Sequence, residues 1–222
     1  MKLLAISDPH GDYAQIPSLV RNAGRVDAVL IAGDITNFGP DELTHDLLGL
    51  LEPLDCPVLA IPGNCDHRSI LTTIDASSAV NLENAVHTIG DVTFAGIGGS
   101  NPTPFDTAFE RSEDEISAIL SDLLSRAGET EETRARIVLL SHAPPRNTLD
   151  RIPGGNAGSE AIAGAIGKVD LIVCGHIHED QGKMIVSAHG RETVVVNVGQ
   201  ASQGKSAIIT IGDGIEVQFN NI

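Results

Sequence analysis

Lys2-Leu3-Leu4-Ala5-Ile6-Ser7-Asp8-Pro9-His10-Gly11-Asp12 is the stretch from which the rest of the chain can be read. An apolar run broken at once by Pro and Gly marks a short buried strand that ends in a turn. A carboxylate and an imidazole two positions apart stand at its tip. In extended backbone, residues i and i+2 point to the same side. Asp8 and His10 are therefore candidates to grip one cation together.

The same pattern recurs along the chain. Ala14 to Ala23 has the spacing of a short amphipathic helix stopped by Gly24. Asp27 to Ala32 predicts a second buried strand, ending in Gly33-Asp34. Asp41 to Leu51 predicts a helix opened by Pro40, with Leu43, Leu47, Leu48 and Leu51 on one face. Val58 to Ile61 predicts a third strand, running into Pro62-Gly63-Asn64-Cys65-Asp66-His67. This β-α-β-α-β rhythm argues for an α/β fold with neighbouring parallel strands. Ligands of such sheets bind beyond the carboxyl ends of the strands.

The middle is less regular. Val86–Ile89 and Val92–Gly96 predict a hairpin around Gly90-Asp91. Residues 98–111 form a loop in which Phe105 and Phe109 are candidates to close over a site. Ser112 to Ala127 predicts a helix with a capping box, Ser112 to Glu115, and an apolar stripe of Ile116, Ile119, Leu120, Leu123 and Leu124. Residues 128–136 read as a charged, exposed connection. Ile137–Leu140 predicts a strand ending in Ser141-His142, followed after Pro145 by a long polar loop to Gly158. A helix is expected over 159–166, then a strand over Val169–Cys174 ending in Gly175-His176-Ile177-His178. Segments 184–188, 193–198, 207–211 and 215–219 read as an antiparallel tail. With no repeat, low-complexity tract or linker, one domain over 1–222 is the simplest organisation.

Composition narrows the function classes. The 222 residues are 41% hydrophobic but only 3% aromatic, so the core must be built from Ile, Leu, Val and Ala. A formal charge of -16 argues against a nucleic-acid backbone or an anionic membrane as partner. Three cysteines form no regular framework, which suggests a reducing compartment. No signal segment or bilayer-length apolar run is visible, and the expected location is the cytoplasm. No Gly-x-Gly-x-x-Gly follows the first strand, which argues against a dinucleotide-binding domain.

Five strands thus end in metal-capable side chains: Asp8 and His10, Asp34, Asn64, His142, then His176 and His178. Four of the eight histidines directly follow apolar runs. Carboxylate, imidazole and amide oxygen without clustered thiolates suit Mn, Fe, Zn, Ni or Co better than a structural zinc. Seven ligands exceed the need of one ion. Two divalent cations sharing a carboxylate fit better, and such pairs clamp the oxygens of a phosphoryl displacement.

The order Asp8-x-His10, Gly33-Asp34, Gly63-Asn64-x-Asp66, Ser141-His142 and Gly175-His176-Ile177-His178 resembles the calcineurin-like metallophosphoesterases over nearly the whole chain. The Gly-Asn-Cys-Asp form is similar to their small prokaryotic phosphodiesterase branch and its eukaryotic scaffold relative. The resemblance implies a layered αββα sandwich of two mixed sheets flanked by helices, with a dinuclear site at the strand ends. It implies that Asp8, His10 and His178 hold one metal, that Asn64, His142 and His176 hold the other, and that Asp34 bridges them. It further implies that a metal-bound hydroxide attacks a phosphodiester or small phosphomonoester, with manganese the first expectation. The family's usual motif has His, the leaving-group acid, where this chain has Cys65. A thiol with a normal pKa of about 8.5 is a poor substitute. His67 is the nearest replacement, and Asp66 is expected to orient a metal-ligating His. Asn197-Val198-Gly199-Gln200 stands where the family often has Asn-Pro-Gly-Ser, a turn beside the site. Arg146 and Asn147 are candidate phosphate contacts, Arg because it can bond such oxygens in bidentate fashion, and Asn64 is a candidate to touch substrate as well. The other reading that Cys65 motivates is a metal-binding interaction scaffold with weak or no turnover. Edge strands in the tail leave room for pairing of two copies.

Overall fold

Runs that are apolar throughout become strands buried on both faces. In the computed structural model, which describes residues 1–128 and 136–222, these are β1 (Lys2–Ile6), β2 (Ala28–Ala32) and β3 (Val58–Ile61), joined by α1 (Ile16–Ala23) and α2 (Leu43–Leu51). Then come α3 (Ile70–Asp75), β4 (Val80–Asn81), the hairpin β5 (Val86–Ile89) and β6 (Val92–Ile97), α4 (Glu113–Gly128) and β7 (Arg136–Ser141). The chain continues through the small hairpin β8 (Arg151–Ile152) and β9 (Gly155–Asn156), α5 (Glu160–Ala163) and β10 (Leu171–Cys174). It ends in β11 (Gly182–Ala188), β12 (Arg191–Asn197), β13 (Ala207–Ile211) and β14 (Ile215–Phe219). Most of the connection expected over 128–136, residues 129–135, lies outside the described residues.

Two mixed six-stranded sheets result, ordered β14-β13-β1-β2-β3-β4 and β11-β12-β10-β7-β6-β5. Side-chain alternation sorts each central strand between two layers. Leu3 and Ala5 join Leu30, Phe94, Val138, Leu140, Val173 and Val196 in the core between the sheets. Leu4 and Ile6 face outward against Ile16, Leu19, Leu47 and Leu51. On the far side, Leu139, Ile172 and Val195 pack on Ile116, Leu120 and Leu123 of α4. Helices therefore cover both outer faces, in the αββα layering that the sequence resemblance implies. Leu30 is fully buried, so its truncation to Ala should cost about 3 kcal/mol.

Local expectations hold at most elements. The capping box is made, with Glu115 N–H donating to Ser112 Oγ at 3.2 Å and Ser112 N–H to Glu115 Oε2 at 2.8 Å. The helix at 159–166 is shorter than expected, ending at Ala163, and the 146–158 loop contains the β8–β9 hairpin. The C-terminal strands need correction. They do not form one antiparallel tail: β12 lies parallel to β10 in one sheet, while β13 runs antiparallel to β1 in the other. Strand periodicity cannot say which sheet a hairpin joins. Among the described residues no helix is long and apolar enough to cross a membrane.

Candidate metal centre

β1, β2 and β3 end side by side, and β7 and β10 end across from them in the other sheet. The turns beyond β1 and β2 are tied together: Asp8, His10 and Gly11 N–H donate to the carbonyls of Gly33, Asp34 and Ile35 at 3.0, 2.9 and 2.9 Å. Asp8, His10, Asp34 and His176 all have left-handed backbone, with φ of 55°, 51°, 49° and 66°. Asp and His tolerate this region better than most residues, yet strain of this kind gathers at functional sites. The glycines before the ligand candidates are required by close approach. A Cβ on Gly63 would fall 2.0 Å from Asp34 Oδ1, and one on Gly175 would fall 1.8 Å from Ser7 Oγ.

Several of the convergent side chains commit one polar atom to the fold and turn the other inward. Asp8 Oδ2 accepts from Ser7 Oγ at 2.6 Å and from His176 N–H at 3.0 Å. Its Oδ1 then faces His178 Nε2 at 3.2 Å and His10 Nε2 at 3.8 Å. Asp34 Oδ1 accepts from Cys65 N–H at 2.8 Å. Its Oδ2 lies 3.7 Å from His10 Nε2 and 3.5 Å from His142 Nε2. His142 Nδ1 lies 2.7 Å from the Ala32 carbonyl, which can only accept, so Nδ1 carries the proton. That leaves Nε2 facing Asn64 Oδ1 at 2.9 Å. His10 and His178 likewise bring two Nε2 atoms within 3.2 Å. Acceptors aimed at one another need protons or a cation between them, and Asp8-His10-His178 and Asp8-Asp34-His142 each bring their ligand atoms close enough to hold one. The donor set therefore fits divalent metal.

Charge follows from this packing. Burial pushes Asp8 and Asp34 upward, but the imidazoles outweigh it and hold both below the usual carboxylate range. His142 is opposed by burial yet raised to about 9 by Asp34 and then Asp8. His178 is also raised against burial, through its hydrogen bond and charge pairing with Asp8. His176 packs ring to ring on His142, with centroids 5.0 Å apart, and is pushed down to about 4 by burial and that neighbour's charge.

The remaining candidates separate. The Cys65 thiol belongs to the centre, forming a close cluster with His10 and Asp34. Burial and then Asp34 push it up, so it keeps its proton. Asp66 does not orient a histidine. Its carboxylate accepts from Ile35 N–H, Thr36 N–H, Gly63 N–H and the Thr36 hydroxyl at 2.7 to 3.0 Å, bracing the β2 turn on the β3 turn. Burial and then Asp34 raise it to about 7, against the pull of those donors. His67 is exposed, beside Gly39. Arg146 turns to Glu160, 3.7 Å away at the surface. Asn147 holds the β8–β9 hairpin, its Oδ1 accepting from Asn156 at 2.7 Å. Phe109 is fully buried beneath Arg68 and Arg111, an anchor rather than a cover, while Phe105 is 80% exposed. Asn197 is structural, donating to the carbonyls of Leu149 and Ile177 and accepting from Gly199 N–H.

Two neighbours of the centre escaped the sequence reading. Lys205 Nζ donates to the His178 carbonyl at 3.2 Å, and no local pattern announces it. Thr107 touches Asn64 at 3.1 Å, and its Thr-x-x-Glu spacing to Glu110 was a usable signal.

The calcineurin-like phosphoesterase family model matches residues 1–180, a span that contains all seven convergent residues. The uncharacterized protein MJ1162 of Methanocaldococcus jannaschii is 35% identical over 191 residues, 82% of each chain. The crystal structure of TT1561 of Thermus thermophilus superposes with a TM-score of 0.74 at 17% identity, covering 99% of this chain and 98% of that one. That last likeness speaks for the fold alone. By the match of its sequence to the family model, this chain belongs to the calcineurin-like phosphoesterases, a family of metal-dependent hydrolases of phosphoric esters.

Proposed function

We propose that the chain holds two divalent cations at its strand tips and hydrolyses a phosphodiester or a small phosphomonoester. The observation that carries this reading is the place of Asp34 Oδ2, 3.7 Å from His10 Nε2 and 3.5 Å from His142 Nε2. One carboxylate oxygen stands between the Asp8-His10-His178 group and the Asn64-His142-His176 group. Cations bound there supply Lewis acidity: they lower the pKa of water and offset charge on the phosphoryl oxygens. The chain fixes the geometry. Asp34 is held by Cys65 N–H, Asp8 by Ser7 and the His176 backbone, and His142 by the Ala32 carbonyl. Manganese is the first expectation, with Fe, Zn, Ni and Co as alternatives. The acidic surface disfavours nucleic acid and membranes as partners. The three cysteines are free, which suits the cytoplasm.

Cys65 sets the limit on the chemistry. It occupies the place of the family's proton donor and keeps its proton too firmly to serve well. We therefore expect esters with good leaving groups to be favoured. The same residue supports the second reading, a metal-holding interaction scaffold.

The test is hydrolysis of bis(p-nitrophenyl) phosphate and p-nitrophenyl phosphate by metal-stripped protein, with Mn, Ni, Co or Zn added back. Metal-dependent turnover lost in Asp34→Asn is the expected result. Bound metal without turnover of either ester would overturn the hydrolase in favour of the scaffold. Cys65→His should raise turnover of poor leaving groups by about a hundredfold, the lower end of what a positioned acid contributes.

A further inference from the structure

Asn64 is the one candidate ligand whose two side-chain ends are alike in shape and opposite in chemistry. As placed, Oδ1 lies 2.9 Å from His142 Nε2. A flipped amide would put Nδ2 there instead. Once Nε2 gives up its proton, as cation binding requires, the flipped amide would donate to it, satisfying it without any cation and leaving no oxygen for one. Something must decide between the two.

The loop after β6 does so. Thr107 Oγ1 lies 2.6 Å from Glu110 Oε1. A carboxylate only accepts, so the hydroxyl proton goes to Glu110. Thr107 then has only lone pairs to offer Asn64, 3.1 Å away, and these demand the Nδ2 end. Glu110 is itself pinned, accepting also from Thr103 N–H and Oγ1 and from Thr107 N–H. The loop is docked on the same residue through Phe109 N–H, which donates to the Asn64 carbonyl at 3.0 Å. We propose that Thr107, oriented by Glu110, is a positioning residue that turns the Asn64 amide oxygen to the metal centre and disfavours the flipped, non-ligating amide. This rests on the reading of Asn64 as a ligand.

Manganese alone is the probe, titrated calorimetrically into metal-stripped protein. Thr107→Val keeps the side-chain size but cannot accept, and should weaken one of the two cations by about tenfold, as loss of an outer hydrogen-bond partner does. Thr107→Ser should restore wild-type binding. In an Asn64→Asp background both ends are oxygens, and Thr107→Val should cost little. Wild-type affinity in Thr107→Val, or an equal loss in the Asn64→Asp background, overturns the proposal. Should Thr107→Val not fold, NMR of the metal-free wild-type chain, at a pH where His142 Nε2 carries no proton, decides. Asn64 amide protons near Thr107 support the proposal, and amide protons near the His142 ring overturn it. No ester enters these measurements. Absent turnover with the Thr107 effect intact would therefore defeat the hydrolase reading and leave this one standing.

Discussion

The two sheets feed the centre with different chemistry. The sheet containing β1, β2 and β3 delivers Asp8, Asp34 and Asn64, with His10 as its single imidazole. The sheet containing β7 and β10 delivers only histidines, His142, His176 and His178. Acids from one sheet face bases from the other, and the nearest pairs are 3.2 and 3.5 Å apart. Charge is therefore balanced across the joint of the sandwich. Each sheet alone would carry an excess of one kind of group and no complete ligand set.

Removing a base should break this arrangement most. His176→Ala is expected to lower turnover by more than about a hundredfold, beyond the usual cost of an outer-shell partner, and to lower bound metal in parallel. Metal analysis beside rates checks this, and an unchanged rate would overturn the two-cation reading.

A smaller effect is expected from pH on the metal-free protein. His142 is raised to about 9 in the fold and is near 6.5 when unfolded. Its contribution is therefore fully present below about pH 6.5 and lost as pH rises through 9. Urea unfolding with chelator should show stability falling by up to about 3 kcal/mol across that window. Manganese affinity should run the opposite way, rising up to about tenfold per pH unit, because the same proton must leave before Nε2 can bind. Asp34→Asn removes the charge that raises His142 and should flatten both trends.

Asp66→Ala acts within one sheet only. It strips the acceptor from three buried N–H groups and should cost about 2 kcal/mol in urea unfolding. A loss of activity with native stability would instead restore Asp66 to the reacting centre. The smallest effects are expected at the surface. Arg146→Ala breaks an exposed pair worth less than about 0.5 kcal/mol and should leave KM unchanged. His67→Ala should leave turnover unchanged.

The division between the sheets also explains what the sequence could reveal. Central parallel strands are buried on both faces, so they appear as unbroken apolar runs, and candidate ligands follow within three residues of their ends. That signal located Asp8, Asp34, Asn64, His142 and His176 without any tertiary information. It failed where geometry is set by loops. Asp66 suggests a partner for histidine because carboxylates beside metal ligands commonly orient them, but the turn aims it at the backbone of residues 35, 36 and 63. Phe109 looked like a cover because it is aromatic in a loop. Its burial depends on a guanidinium from Arg68, distant in the sequence, as well as on that of nearby Arg111. The split of the last four strands between sheets was invisible for the same reason.

The close approaches at Gly63 and Gly175 have a mechanical consequence. With no room for even a methyl group, the tip of one strand forms the wall of its neighbour's ligand, and the two halves of the centre meet only when both sheets are in register. A cation held there acts as a rivet through the sandwich. It would bind the assembled molecule and not its halves, so every increment of metal concentration above the dissociation constant would be transmitted to the whole fold, about 2.7 kcal/mol at a hundredfold excess. Metal supply would then set how long the protein lasts as well as how fast it works.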